Sequence, residues 1–209
     1  MGKGYGSLMG VKVVILAWPV FSFLLGSLPF SLWLARLAGK DLSQVADGNP
    51  GATNAWRAAG WQLGSLAFLL DISKGAFPVA IAAQIWGWHG SALFGAAIAP
   101  LLGSAFSPFL RGRGGKSLAV SFGIWIGLMT WQAPLVILPP LILMYWLQTS
   151  SLLAVLTALA CTALYLLWRS PEAAWWGIWG TQLLIITWKH RADWKKSPRW
   201  RRHTAGKTR

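Results

Sequence analysis

Acidic side chains are scarce in this 209-residue chain: Asp41, Asp47, Asp71, Glu172 and Asp193 are all there are. Five scattered carboxylates form no metal-ligand cluster, which excludes the carboxylate-bound divalent ions that metal-dependent phosphatidyltransferases need. The single cysteine, Cys161, sits inside an apolar run, so neither a disulfide framework nor a thiolate metal site is available. Histidines number three and form no His-x4-Asp box, since Phe94 stands five places after His89 and Asp193 follows His190 too closely. No serine has a base spaced to activate it as a nucleophile.

Basic residues number 19, giving a net charge of +14, yet charged residues make up only 11% of the chain. The rest is apolar, at 55% hydrophobic with a mean hydropathy of +0.50, a balance foreign to soluble domains. Charge-free runs at 13–35, 75–110 and 117–168 each exceed the roughly 20 apolar residues that span a bilayer. The expected fold class is therefore all-α, a polytopic membrane helix bundle. Gly, Pro and polar clusters divide it into about seven hydrophobic segments: 13–35, 63–86, 91–110, 117–131, 134–148, 151–168 and 173–188. The first run continues without an Ala-x-Ala cleavage site and is expected to be a retained helix.

Nine basic residues fall from Lys189 onward, directly after an apolar segment and without a folded basic module. That placement fits a cytoplasmic anchor beside anionic headgroups and not nucleic-acid binding. Residues 1–191 are expected to form the membrane domain and 192–209 a disordered, basic cytoplasmic tail. With the N-terminus outside, fifteen basic residues face the cytoplasm and only Lys3, Lys12 and Arg169 face out. Many of the 16 tryptophans, among them Trp18, Trp33, Trp56, Trp61, Trp86, Trp88, Trp131, Trp168 and Trp188, stand at segment ends, as an interfacial belt would place them.

Two polar inserts land on the same expected face. The first, Asp47-Gly48-Asn49-Pro50-Gly51-Ala52-Thr53-Asn54-Ala55-Trp56-Arg57, crowds turn-forming and hydrogen-bonding residues and closes on a cation. The second, Arg111-Gly112-Arg113-Gly114-Gly115-Lys116-Ser117, repeats that logic. Glycine frees backbone amides to point into one concavity, and Arg or Lys supplies the charge a phosphate requires. Asp71 and Lys74, three apart on one helical face, form an expected intramembrane pair, structural or functional. Thr53 or Asn54 would also serve as a helix cap, and Arg57 as a bridge to Asp47 or Asp71.

These inserts, with Gly26-Ser27-Leu28-Pro29-Phe30, Asp71-Ile72-Ser73-Lys74-Gly75 and the run from Gly103 to Lys116, resemble the bacterial acyl-phosphate:glycerol-3-phosphate acyltransferase family called PlsY, with order and spacing matching over 25–119. The resemblance implies transfer of a fatty acyl group from acyl phosphate to the 1-hydroxyl of glycerol 3-phosphate at the cytoplasmic face of the bacterial inner membrane. It implies no metal and no cofactor, with membrane lipids as surroundings and the acyl-phosphate-producing enzyme as an expected contact. Carried over by position, Asp47, Arg57 and Lys116 are the expected catalytic residues. Ser27, Asn49, Gly51, Thr53, Asn54, Lys74, Arg113, Gly114 and Gly115 are the expected substrate ligands. The chain departs from the pattern in five places, one being Pro108, which stands one place beyond the Pro that normally follows Phe106. Asp47 stands where the family has Ser, Ser104 where it has His, and Ser117 where the second insert ends in Gly. The C-terminal His-Arg-x-Asn run is matched by His190, Arg191 and Asp193, with no later Glu. The alternatives are a small anion transporter, which requires polar residues continuing across the membrane, and a catalytically weakened paralogue that binds lipid phosphates.

Overall fold

A computed structural model describes residues 4–169, 171–194 and 200. Eight α-helices follow one another among them: α1 (Gly4–Ser27), α2 (Phe30–Leu37), α3 (Ala52–Ala80), α4 (Gly90–Ala105), α5 (Leu118–Met129), α6 (Gln132–Leu147), α7 (Ser151–Arg169) and α8 (Ala173–Lys189). Four apolar stretches, Lys12–Leu37, Ala52–Ile85, Gly90–Leu110 and Ser151–Arg169, are long enough to cross a membrane, with α5 and α6 as shorter apolar helices. The described structure is thus the helical membrane bundle that the apolar runs predict. Of the expected tail, 192–209, residues 195–199 and 201–209 lie outside the described residues, while Trp200 pairs with Gln148 in an isolated bridge.

The expected first segment, 13–35, is two helices. Pro29 has no amide hydrogen and disfavours helix in the residue before it, so α1 ends at Ser27 and α2 starts at Phe30. A break inside an apolar layer strands backbone carbonyls, and two polar side chains take them up. Ser107 Oγ donates to Ser27 O at 2.6 Å, and Lys74 Nζ donates to Leu28 O at 2.7 Å. The expected second segment, 63–86, begins earlier, at Ala52. Its first turns are set off by Gly60, whose φ of 83° and ψ of 177° interrupt the helix in a region that favours glycine.

Helices α3 and α5 form the central contact, and small residues make it close. A Cβ on Gly75 would lie 2.2 Å from Val120 O, and one on Gly123 would lie 2.0 Å from Ile72 O, so the two backbones touch. Around this pair, α1 packs on α4, α2 on α3, α6 on α7 and α8 on α4. Val79, Ala97, Leu101, Val120, Ile124, Trp125 and Ile178 fill the core between them. Trp125 satisfies its indole N–H inside it by donating to Gln182 Oε1 at 2.6 Å. The segment-end tryptophans divide. Trp56, Trp61, Trp131 and Trp168 are exposed, whereas Trp18 donates to Pro78 O and meets Trp86 edge to face.

Candidate active site

Three segments distant in sequence meet at one end of the bundle: the loop before α3, the loop before α5 and the turn after α8. The first loop is closed from within. Asp47 Oδ1 accepts from the Asn49 amide at 3.2 Å and from Asn54 Nδ2 at 2.8 Å, while Asn54 Nδ2 also reaches Val45 O and Asn49 O. Asn54 is buried in the first turn of α3 and clasps the loop; the cap of that helix is Gly51, which makes no side-chain bond. The second loop lies against the end of α4. A Cβ on Gly114 would stand 2.1 Å from Ser104 O, and Lys189 at the end of α8 donates to Gly114 O and to Ala105 O.

Lys116 ties the segments together. Its Nζ lies 3.0 Å from Asp47 Oδ2 and 2.7 Å from Asp193 Oδ2. Asp193 belongs to the short helical turn Arg191–Asp193 and reaches into the site. Burial raises the Asp47 pKa, but hydrogen bonds from Asn54, Lys116 and the Asn49 amide outweigh it and lower the value to about 2. Burial lowers the Lys116 pKa, and its bonds to Asp193 and Asp47 outweigh that and raise it. His190, fully buried beside this turn, is pushed below its usual value chiefly by burial.

These shifts carry a pH dependence of fixed sign. A carboxylate whose folded pKa is depressed from 3.8 to about 2 adds stability that is complete above its unfolded value and vanishes as pH falls through the folded one. The stability difference between wild type and Asp47→Asn, read from thermal unfolding in detergent, is expected to hold from neutral pH to mildly acidic pH and to shrink below that. A difference that stays constant down to pH 2 contradicts the depressed carboxylate.

A cavity with about 670 Å³ of atom-free space, open to solvent, lies between the Pro29 break, α3, the end of α4 and the loops before α3 and α5. The expected residues Ser27, Asn49, Gly51, Thr53, Lys74, Gly115 and Lys116 all line it, as do Asp71, Ser104 and Ser107. Asp71 Oδ1 holds Lys74 Nζ at 2.7 Å and Asp71 Oδ2 accepts from Ser31 Oγ at 2.6 Å, so the intramembrane pair exists as a closed network. An outer basin adjoins the cavity and is lined by Asp47, Gly114, Arg113, Lys116, Lys189 and Arg191. Five expected residues lie outside the main cavity wall. Asp47 and Gly114 line the outer basin, and Asn54 is buried behind the loop it clasps. Arg57 is exposed and contacts Asn54 Oδ1 at 3.3 Å, and Arg113 belongs to the outer basin.

An apolar groove of about 590 Å³ runs on from the polar cavity, with Phe68, Leu118 and Ala119 as shared walls and Leu141, Val155 and Leu159 further in. Sequence reasoning did not place Asp193 or Ser117 in the site. For Asp193 the signal was its position in the run matching His-Arg-x-Asn. For Ser117 it was the glycine expected there, because Ser117 has φ 60° and ψ 20°, the left-handed region that favours glycine.

Fold and site together define a polytopic membrane protein with a cationic, hydroxyl-lined cavity opening into an apolar groove at one end of its bundle. A family model described as glycerol-3-phosphate acyltransferase matches residues 15–198. Glycerol-3-phosphate acyltransferase of Pseudomonas syringae pathovar tomato is 38% identical over 174 residues, covering 83% of this chain and 88% of that protein. Glycerol-3-phosphate acyltransferase 1 of Thermotoga maritima is 44% identical over 117 residues, which are 55% of this chain and 58% of that protein. The crystal structure of PlsY, an integral membrane glycerol 3-phosphate acyltransferase, in its glycerol 3-phosphate form superposes with a TM-score of 0.79 at 31% identity, over 85% of this chain and 88% of that one. Its lysophosphatidic acid form gives 0.77. The chain belongs to the glycerol-3-phosphate acyltransferase family.

Proposed function

We propose that this protein transfers a fatty acyl group from acyl phosphate to the 1-hydroxyl of glycerol 3-phosphate, releasing 1-acyl-glycerol 3-phosphate and phosphate, at the cytoplasmic face of the bacterial plasma membrane. The observation that carries this reading is the joining of the polar cavity to the apolar groove through Phe68, Leu118 and Ala119. A phosphate head with an acyl tail fits that pair of spaces. A transport path requires polar groups running through the bundle, whereas the cavity here leads into an apolar wall.

An acyl phosphate is already activated, so holding two phosphate-bearing substrates together and neutralising their charge provides most of the catalysis. Lys116 and Lys74 lie in the cavity, Arg113, Lys189 and Arg191 in the basin, and Arg57 near the loop that Asn54 closes. Asp47 already accepts bonds from Lys116, Asn54 and Asn49, and a pKa of about 2 makes it a weak proton acceptor near neutral pH. Asp47 therefore orients Lys116 and the loop, and the hydroxyl proton goes to a substrate phosphate, whose second pKa is about 6.

Purified protein given acyl phosphate with and without glycerol 3-phosphate tests the reading: phosphate release that requires glycerol 3-phosphate and yields lysophosphatidate is expected. Phosphate release without acyl transfer, or none with lipid-phosphate binding retained, overturns it in favour of the weakened paralogue. The facing is tested separately by labelling Gln44→Cys and Arg111→Cys in a Cys161→Ser background. Both sites are expected to react from the cytoplasm only. The acyl-phosphate-producing enzyme is the partner we expect at this face.

A further inference from the structure

Ser117 is the residue whose structure the loop alone does not explain. It immediately precedes α5, lines the polar cavity and is 7% exposed. Its Oγ is buried with no hydrogen-bond partner among the described residues, and it does not cap its own helix. Its φ of 60° is uncommon for a residue with a side chain. A buried hydroxyl without a partner is costly, and so is a left-handed serine. Two costs at one cavity-lining position point to a ligand that uses the hydroxyl.

The position of Ser117 identifies which part of the ligand. An acyl phosphate with its phosphate among the cavity cations and its tail in the apolar groove must place its carbonyl where the two spaces meet. Phe68, Leu118 and Ala119 mark that junction. Phe68 brings no hydrogen bond there. Leu118 and Ala119 are the first residues of α5, whose opening amides have no partner within the helix and carry its positive dipole end. The first bond inside the helix is Ser121 N to Ser117 O, at 2.9 Å.

We propose that the Ser117 hydroxyl, with the first amides of α5, is the oxyanion site for acyl transfer, an inference that rests on the acyl-phosphate reading above. The glycerol hydroxyl oxygen forms a bond to the carbonyl carbon, and the carbonyl π pair moves onto its oxygen, where Ser117 Oγ–H and the α5 amides donate to it. The pair returns as the bond from carbon to the phosphate oxygen breaks. Phosphate leaves with the electrons, and the hydroxyl proton goes to a phosphate oxygen.

The test compares wild type with Ser117→Gly and Ser117→Ala. Glycine suits a φ of 60°, so Ser117→Gly is expected to melt no lower than wild type in detergent, and Ser117→Ala removes the hydroxyl while keeping the Cβ. Removing one oxyanion donor lowers kcat by about a hundredfold or more, so falls near that size are expected in both variants. The KM for glycerol 3-phosphate and the affinity for a non-hydrolysable acyl phosphonate are expected to stay near wild type, since the contact strengthens only in the transition state. A Ser117→Gly enzyme with wild-type kcat overturns the inference. So does a raised KM with kcat intact, which would make Ser117 a ground-state ligand. A wild type that binds the phosphonate but transfers no acyl group overturns the acyl-transfer reading itself, and this inference with it.

Discussion

Lys116→Ala is expected to abolish measurable acyl transfer while the protein remains folded in detergent. Losing one charge-assisted partner costs about 1.5–3 kcal/mol, or roughly ten- to a hundredfold in kcat/KM. The local charge makes the loss larger here. Lys116 is the cation between Asp47 and Asp193, at 3.0 and 2.7 Å, and its removal leaves two carboxylates facing the space where a phosphate must sit. Like charges at that range disfavour a dianion, so the variant repels substrate as well as failing to hold it. Steady-state kinetics in both substrates, with thermal unfolding as the control for folding, measures this. Removing the carboxylates as well, in Lys116→Ala/Asp47→Ser/Asp193→Asn, is expected to recover part of the loss in KM but not in kcat. A Lys116→Ala enzyme with near-normal kcat/KM removes Lys116 from the site.

Much of this site was legible in the sequence because its parts are polar residues in an apolar chain. The inserts at 47–57 and 111–117 stand out against their surroundings, the asymmetry of basic residues puts them on one face, and Asp71 and Lys74 meet at helical spacing. What stayed hidden depends on tertiary approach. Nothing local to Pro29 says that Lys74 and Ser107 accommodate the carbonyls its break strands, nor does the tail composition reveal that Asp193 folds back onto Lys116. The apolar segment expected at 63–86 covers only part of α3, because the first turns of the helix are rich in polar residues and Gly60 separates them from the apolar run. The capping reading of Thr53 and Asn54 comes close to the true start at Ala52. Arg57 shows the opposite limit. Its place in the motif marks it for the site, yet in the structure it sits outside the cavity wall, touching Asn54.

Replacing Asp71 and Lys74 one at a time is expected to destabilise the protein far more than replacing both. Lys74 is 4% and Asp71 8% exposed. In Lys74→Met the Asp71 carboxylate keeps only its bond from Ser31 in the described network, and Leu28 O loses the donor that compensates the Pro29 break. In Asp71→Leu the ammonium keeps its bond to Leu28 O and loses its counter-charge. Breaking a buried pair this way typically costs about 3–5 kcal/mol, whereas replacing both partners by apolar residues of similar size is often close to neutral. The double variant Asp71→Leu/Lys74→Met is therefore expected to regain most of the stability in mixed-micelle unfolding, short of about 1–3 kcal/mol for the unpaired Leu28 carbonyl. Its activity then separates the two roles open to Lys74. The pair adds no net charge to the cavity, so a scaffold role predicts a double variant that works once it is stable. A double variant as stable as expected but inactive would instead make Lys74 a direct substrate ligand, reaching phosphate with an N–H that neither Asp71 nor Leu28 uses.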